Sequence, residues 1–378
     1  MRFLSRFHIT LPFPALVWLA ACGSEPEGPS APPPPSKEAL AAIKADPGAP
    51  RDELGRAIDR LFDAEAVGQT RALLVFHRGE IAAERHANGF GSKTRHIGWS
   101  LSNCVTGIMI GLLVSDGRLR LNESAPVPAW QRSGDPRGEI TVRQLLQMRS
   151  GLRHMETGDR IHQSDASRMF FLDGRDDMAG YAEAQPLVSE PGAHFAYSSA
   201  TPVILSDLAA RSLSASEDAG TRRRLVANFL QTRLFDPARM NSMTVEFDAA
   251  GTMIGASMVH ATARDWGKLG EFMRHGGSVR GAQVIPRRWI EFMRSPSPRN
   301  PGYGALIWLN RPHNAGRQEL FPGKAPESLF ACIGAPGQYV IVSPSQKLTV
   351  VRLGQTTEGQ RDALRDRLGD LVALYPAE

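Results

Sequence analysis

Ser100 and Asn103 stand three positions apart in Trp99-Ser100-Leu101-Ser102-Asn103, the spacing of one helical turn. A serine hydroxyl becomes a nucleophile only when something removes its proton, and one turn is the distance at which a helix holds a base against it. Asn103 cannot be that base, because an amide neither accepts a proton nor carries a charge. Lysines that could serve instead are scarce: Lys37, Lys44, Lys93, Lys268, Lys324 and Lys347 are the complete set. The ten histidines are scattered without an HxxxH pair and the three cysteines form no CxxC, so no metal centre and no cofactor are expected.

The elements that must position these residues follow from hydropathy. Leu54, Ile58, Leu61 and Phe62 recur at helical spacing, and Ala72–Phe76 and Ile81–Ala83 flank His77-Arg78-Gly79-Glu80 as a hairpin would. Val105, Ile108, Met109, Leu112 and Leu113 mark a helix after Ser100. At the far end, 329–333, 339–342 and 348–353 read as strands joined by Gly- and Pro-bearing turns, and Leu364, Leu368, Leu371 and Leu374 as a closing helix. Strands at both ends with helices between them predict an α/β (α+β) fold: one antiparallel sheet assembled from the two chain ends, flanked by helices, with an inserted helical subdomain over roughly 101–260. With 378 residues, 42% of them hydrophobic, the chain can bury a sizeable core. The net charge of +5 is dispersed among acids and forms no basic run with interleaved aromatics, which argues against a nucleic-acid partner.

At the N-terminus, Arg2 and Arg6 precede an apolar stretch from Phe7 to Ala21, too short to span a bilayer, that reads as a secretory signal. It ends Leu19-Ala20-Ala21-Cys22, similar to the lipobox of bacterial lipoproteins, and that resemblance implies acylation of Cys22, a membrane anchor and export to the periplasm or cell exterior. The expected organisation is a signal over 1–22, a Pro-rich tether over 23–50 and a folded domain over 51–378. In an oxidising compartment Cys104 and Cys332 could pair. Two buried free thiols are the expected state, with a Cys104–Cys332 disulfide as the alternative.

Three stations fall in order: Ser100 at a helix start, Tyr197-Ser198-Ser199 before an apolar helix, and Phe330-Ala331-Cys332-Ile333-Gly334-Ala335-Pro336-Gly337-Gln338, where a strand turns back through glycines. Between the first two lies Thr141–Leu152. Together they resemble the serine β-lactamase and penicillin-binding-protein superfamily, nearest its class C-like branch of esterases, DD-peptidases and nylon-oligomer hydrolases, over roughly residues 51–378. The resemblance implies acyl transfer on small ester, amide or peptide-like substrates: Ser100 as nucleophile, Tyr197 as base and acid, the backbone N–H groups of Ser100 and Cys332 as oxyanion hole. It also implies substrate contacts at His154, Ser199, Ala331 and Gly334.

Asn103 departs from this pattern by standing in the place of the lysine of an SxxK motif, and Leu329-Phe330-Ala331 stands in the place of the KTG-like triad, which offers no cation to a substrate carboxylate. A free tyrosine has a pKa of about 10, so on the order of one in a thousand is ionised at neutral pH without a cation beside it. Lys324, Lys93 and His154 are the candidates to replace the missing base. Two functions stay open: a serine hydrolase with impaired or unconventional activation, and a catalytically silent relative whose cleft binds cell-wall fragments or a protein partner.

Overall fold

Strands whose residues are buried on both faces organise the molecule. The computed structural model describes residues 32–314 and 316–378, and the folded body runs from Pro35 to Glu378. Its sheet comprises β1 (Gln69–His77), β2 (Glu80–His86), β3 (Trp308–Leu309), β4 (Phe330–Gly334), β5 (Gln338–Ser343) and β6 (Leu348–Gln355), in the order β2-β1-β6-β5-β4-β3. The pairing is antiparallel, and β1 from the N-terminal end lies directly against β6 from the C-terminal end. The expected joining of the two ends is therefore what the structure has.

Alternation along β5 and β6 sends Val340, Val342, Val351 and Leu353 to one core and Tyr339, Ile341, Leu348 and Val350 to the other. The second core is closed by α1 (Lys37–Ala42), α2 (Arg51–Leu61) and, at the C-terminal end, α6 (Arg361–Ala373). The first is closed by α3 (Ser102–Ser115), α4 (Ala200–Leu213) and α5 (Ala263–Arg274). A small sheet of 95–97, 244–245 and 259–262 flanks them.

One boundary moves. Lys37–Ala42, expected in the tether, is a helix whose N-cap Ser36 accepts from Ala39 N–H and donates its own N–H and hydroxyl to Asp59, at 2.7 and 2.6 Å. Ala39 and Ile43 are buried against α2 and the sheet. A capping serine followed by good helix formers, with apolar residues to bury, outweighs the neighbouring prolines. The signal, Cys22 and the tether up to residue 31 lie outside the described residues.

α3 is apolar all round because it is covered all round: Ser102 to Leu113 are all buried. Burying Ile108, Met109 and Leu112 stabilises the fold by about 1.5–3 kcal/mol each. The nucleophile candidate thus precedes one of the most deeply fixed helices in the chain.

Candidate functional site

Ser100 sits in a single 3-10 turn, Trp99–Leu101, that leads straight into α3. Trp99 has φ 49°, the left-handed region that a bulky residue enters only under constraint. The constraint is visible on both flanks: Gly98 N–H donates to Val259 O at 2.8 Å, and Val259 N–H donates to Ser102 Oγ at 3.1 Å. The turn that carries Ser100 is stitched to the small sheet.

Asn103, one turn on and 3% exposed, donates from Nδ2 to Tyr197 Oη at 3.0 Å. Its Oδ1 is buried without a partner among the described residues. Tyr197 ends the loop before α4, its ring stacked on Trp308 at 5.9 Å and met edge-on by Tyr303 at 6.2 Å. Burial pushes the Tyr197 hydroxyl well above its ordinary pKa, the Glu156 carboxylate pushes the same way, and interactions with Ser100 and Asn103 oppose them without prevailing. Tyr197 is a neutral phenol, and its surroundings hold it so.

Glu156 is the member that sequence reasoning missed. It accepts from Ser199 N–H at 2.8 Å, from the Ser199 hydroxyl, and from His154 Nε2 at 2.7 Å. Nothing in its spacing marks it, since it lies 43 residues from Ser199 in an irregular loop. The network corrects two expected substrate contacts. Ser199, 4% exposed, has its hydroxyl taken by the carboxylate, and His154 is turned onto Glu156 with its side chain 2% exposed. Both side chains brace the loop of Tyr197 through Glu156, which occupies the Ser199 hydroxyl and His154 Nε2, while His154 Nδ1 is buried without a partner among the described residues.

The candidate cations are elsewhere. Lys324 pairs with Asp370 and donates to Asp366 O at 3.2 Å, both on α6, on the sheet face opposite α3. Lys93 is exposed in the loop before the small sheet. Neither stands beside Ser100 or Tyr197, and no lysine is among the groups that act on the Tyr197 hydroxyl.

The strand opposite Ser100 is set in a different register from the one expected. A Cβ built on Gly334 would lie 2.4 Å from Gly98 O and 3.0 Å from Ser100 N, so Gly334 is the residue that abuts the Ser100 turn. Leu329 O accepts from Asn310 N–H on the β3 side, whereas Gly334 O accepts from Gly337 N–H within the β4–β5 hairpin. In an antiparallel strand successive residues turn their N–H and C=O to opposite edges, so odd-numbered residues of β4 face the β3 edge and even-numbered ones face β5. The Cys332 N–H is consequently directed at its partner Val340 and is not free to hold an oxyanion. The amides on the open edge are those of Ile333 and Ala335, since β3 covers only Phe330 and Ala331. Ala331, expected as a substrate contact, is fully buried between Trp308 and Ile341 with its side chain in the core away from α3.

Cys104 and Cys332 form a disulfide, Cα–Cα 6.1 Å, and not the expected pair of free thiols. Even-numbered residues of β4 point at α3, which brings the two thiols together, a consequence of tertiary approach that composition does not contain. The β4–β5 hairpin is further held by Arg352, fully buried, which donates to Gly337 O at 2.8 Å and to Thr70 Oγ1 at 3.0 Å. Among the described residues, no three His, Cys, Asp or Glu side chains are grouped to hold a metal ion.

Comparisons with known proteins agree on the architecture. The model of the family described as Beta-lactamase matches residues 58–374. A 6-aminohexanoate-dimer hydrolase of Paenarthrobacter ureafaciens is 27% identical over 329 residues, covering 83% of this chain and 81% of that protein. Among solved structures, EstCE1, a hydrolase with promiscuous acyltransferase activity, superposes with TM-score 0.64 at 14% identity, covering 85% of this chain and 98% of its own. A penicillin-binding protein homologue from Caulobacter crescentus does so with TM-score 0.59 at 16% identity, covering 86% and 97%.

Proposed function

This chain belongs to the Beta-lactamase family, and from that premise we propose that it is an exported serine hydrolase that cleaves amide or ester bonds through an acyl-serine at Ser100, slowly and without a lysine base. The observation that carries this reading is the Asn103–Tyr197 hydrogen bond beside Ser100. A phenol has two acceptor sites and one proton. Asn103 Nδ2 occupies one acceptor site, the other is left for the Ser100 hydroxyl, and the O–H is left to donate to a leaving group. As Ser100 Oγ attacks the carbonyl carbon, its proton passes to Tyr197 Oη while the phenolic proton passes to the departing amine or alcohol, and the tyrosine ends neutral as it began. Water repeats the sequence in reverse to release the acid. The Ser100 and Ala335 amides take the oxyanion in this proposal.

Such a relay needs no tyrosinate, but it forgoes a true base, and that loss costs about 10²- to 10⁴-fold in rate, roughly 3 to 5 kcal/mol. The name of the Paenarthrobacter ureafaciens relative, a 6-aminohexanoate-dimer hydrolase, favours amides formed between amino acids as first substrates to try. Export is supported by the Cys104–Cys332 disulfide, which persists in oxidising compartments. Lipid anchorage through Cys22 is part of the same proposal, and Cys22→Ser should release the protein from membranes.

The test is intact-mass analysis after exposure to a fluorophosphonate, on the wild type and Ser100→Ala. A single adduct that disappears in Ser100→Ala supports the hydrolase. Full absence of labelling in the wild type favours the second reading, a silent relative that binds cell-wall fragments or a protein partner, for which the buried, unpartnered Asn103 Oδ1 and the neutral Tyr197 also speak.

A further inference from the structure

We propose that the Cys104–Cys332 disulfide is a positioning pair for the acyl-transfer site, setting the distance between the Ser100 turn and the strand edge that faces it. Cys104 lies one turn beyond Ser100 on α3, and Cys332 lies two residues before Gly334, the residue that touches the Ser100 turn. The bond joins positions 228 apart in sequence and both sulfurs are buried. It falls at the sheet edge: β4 is covered on its outer edge only at Phe330 and Ala331, so Cys332, Ile333 and Gly334 have a ladder partner on one side alone and Ala335 follows in the turn. An edge segment of this kind opens more readily than the strands beneath it.

Carbonyl addition tolerates little movement there. The Ile333 and Ala335 amides face the open edge, and an error of about 1 Å between nucleophile and acceptor costs on the order of 10²-fold in rate. The disulfide restrains one end of that segment to α3, which carries Asn103 and continues directly from the Ser100 turn. Reduction by a dithiol would open it in two exchange steps, leaving two thiols on the chain and the reductant as its own disulfide. The site is therefore conditional on oxidation: a chain that has not reached an oxidising compartment has the nucleophile without its fixed opposing edge.

The catalytic consequence rests on the hydrolase reading, and the experiment separates the two. Hydrogen–deuterium exchange is measured on the oxidised wild type, on the Cys104→Ala/Cys332→Ala and Cys104→Ser/Cys332→Ser double variants, and on wild type reduced with a phosphine, alongside the rate of fluorophosphonate labelling and the melting temperature. The expected result is faster exchange confined to residues 98–104 and 332–337, with labelling slowed by about 10- to 100-fold well below the melting temperature. Exchange that rises evenly through the molecule, or labelling that keeps its wild-type rate while the melting temperature falls, overturns the proposal and leaves a purely structural bond. If the wild type does not label, the hydrolase reading fails on its own, and the local exchange pattern still decides whether the bond fixes the two segments. The reduced wild type carries the test if neither double variant folds.

Discussion

Asn103 Nδ2 donates to Tyr197 Oη at 3.0 Å, placing an amide against the phenol next to Ser100. The contact aligns the tyrosine without charging it. Burial and the Glu156 carboxylate keep the phenol protonated, so the proposed relay exchanges the proton leaving Ser100 for one delivered to the leaving group.

Tyr197→Phe removes the relay while keeping the ring on Trp308 and Tyr303. Labelling of Ser100 by a fluorophosphonate should slow by about 10²-fold or more, the usual contribution of a proton-transfer group. The ring contacts remain, but Asn103 Nδ2 loses its acceptor, so stability should fall by about 1–3 kcal/mol. An unchanged labelling rate would remove Tyr197 from the mechanism.

The pH profile should be flat where a lysine–tyrosine site would titrate. The Tyr197 pKa is raised above that of a free tyrosine, so the rate should show no limb from this residue between pH 6 and 9. Stability has a matching sign. The unfolded chain loses its tyrosine proton near pH 10 while the folded one retains it, so the contribution is fully present below about pH 10 and is lost as pH rises toward the folded value. Stopped-flow labelling and thermal denaturation across pH 6–11 read both.

A second pH dependence lies away from the site. Glu183, buried first of all and then repelled by Asp207, has its pKa raised to about 8. The unfolded carboxyl ionises near pH 4.3, so between there and pH 8 the folded state binds more protons and stability falls as pH rises. Glu183→Gln should flatten that slope and raise the melting temperature at pH 8 relative to wild type. A parallel slope in the variant would contradict the assignment.

Gly334→Ala tests the register. The new Cβ would meet Gly98 O at 2.4 Å and Ser100 N at 3.0 Å, backbone atoms that cannot rotate aside. We expect a loss of about 1–3 kcal/mol in stability, as for other overpacked sites, and a larger proportional loss of labelling because the Ser100 turn must shift. Ala331→Gly, in the opposite core, should lower stability and leave the labelling of the folded fraction intact.

How much of this was legible depended on whether the signal was local. Ser100 sits in the turn that leads into the helix of Asn103 and Cys104, and Tyr197 precedes another helix, so spacing and hydropathy brought them forward. The oxyanion strand was misplaced by three residues, from Cys332 to Ala335, and an odd shift along a strand exchanges its edges as well as its faces. Counting back from Gly337 could not see that the hairpin already turns after Gly334. Glu156 and the disulfide arise from approaches across 43 and 228 residues: nothing in the sequence marks Glu156, and the presence of two cysteines allowed the disulfide only as the alternative to free thiols. The helix at Lys37–Ala42 was readable, since Ser36 is a capping residue before good helix formers; the prolines beside it concealed the cue.

The central claim is that Ser100 is limited by the missing base alone. Asn103→Lys restores an ammonium-bearing side chain beside Ser100 and Tyr197, where Glu156 supplies a nearby negative charge. The decisive measurement is the single-turnover rate of Ser100 acylation by a p-nitrophenyl ester in wild type and Asn103→Lys, with Ser100→Ala as the zero. The account predicts slow but Ser100-dependent acylation in the wild type and an increase of about 10²-fold or more in Asn103→Lys, with a new dependence on pH. A well-folded Asn103→Lys that acylates no faster than wild type would contradict it.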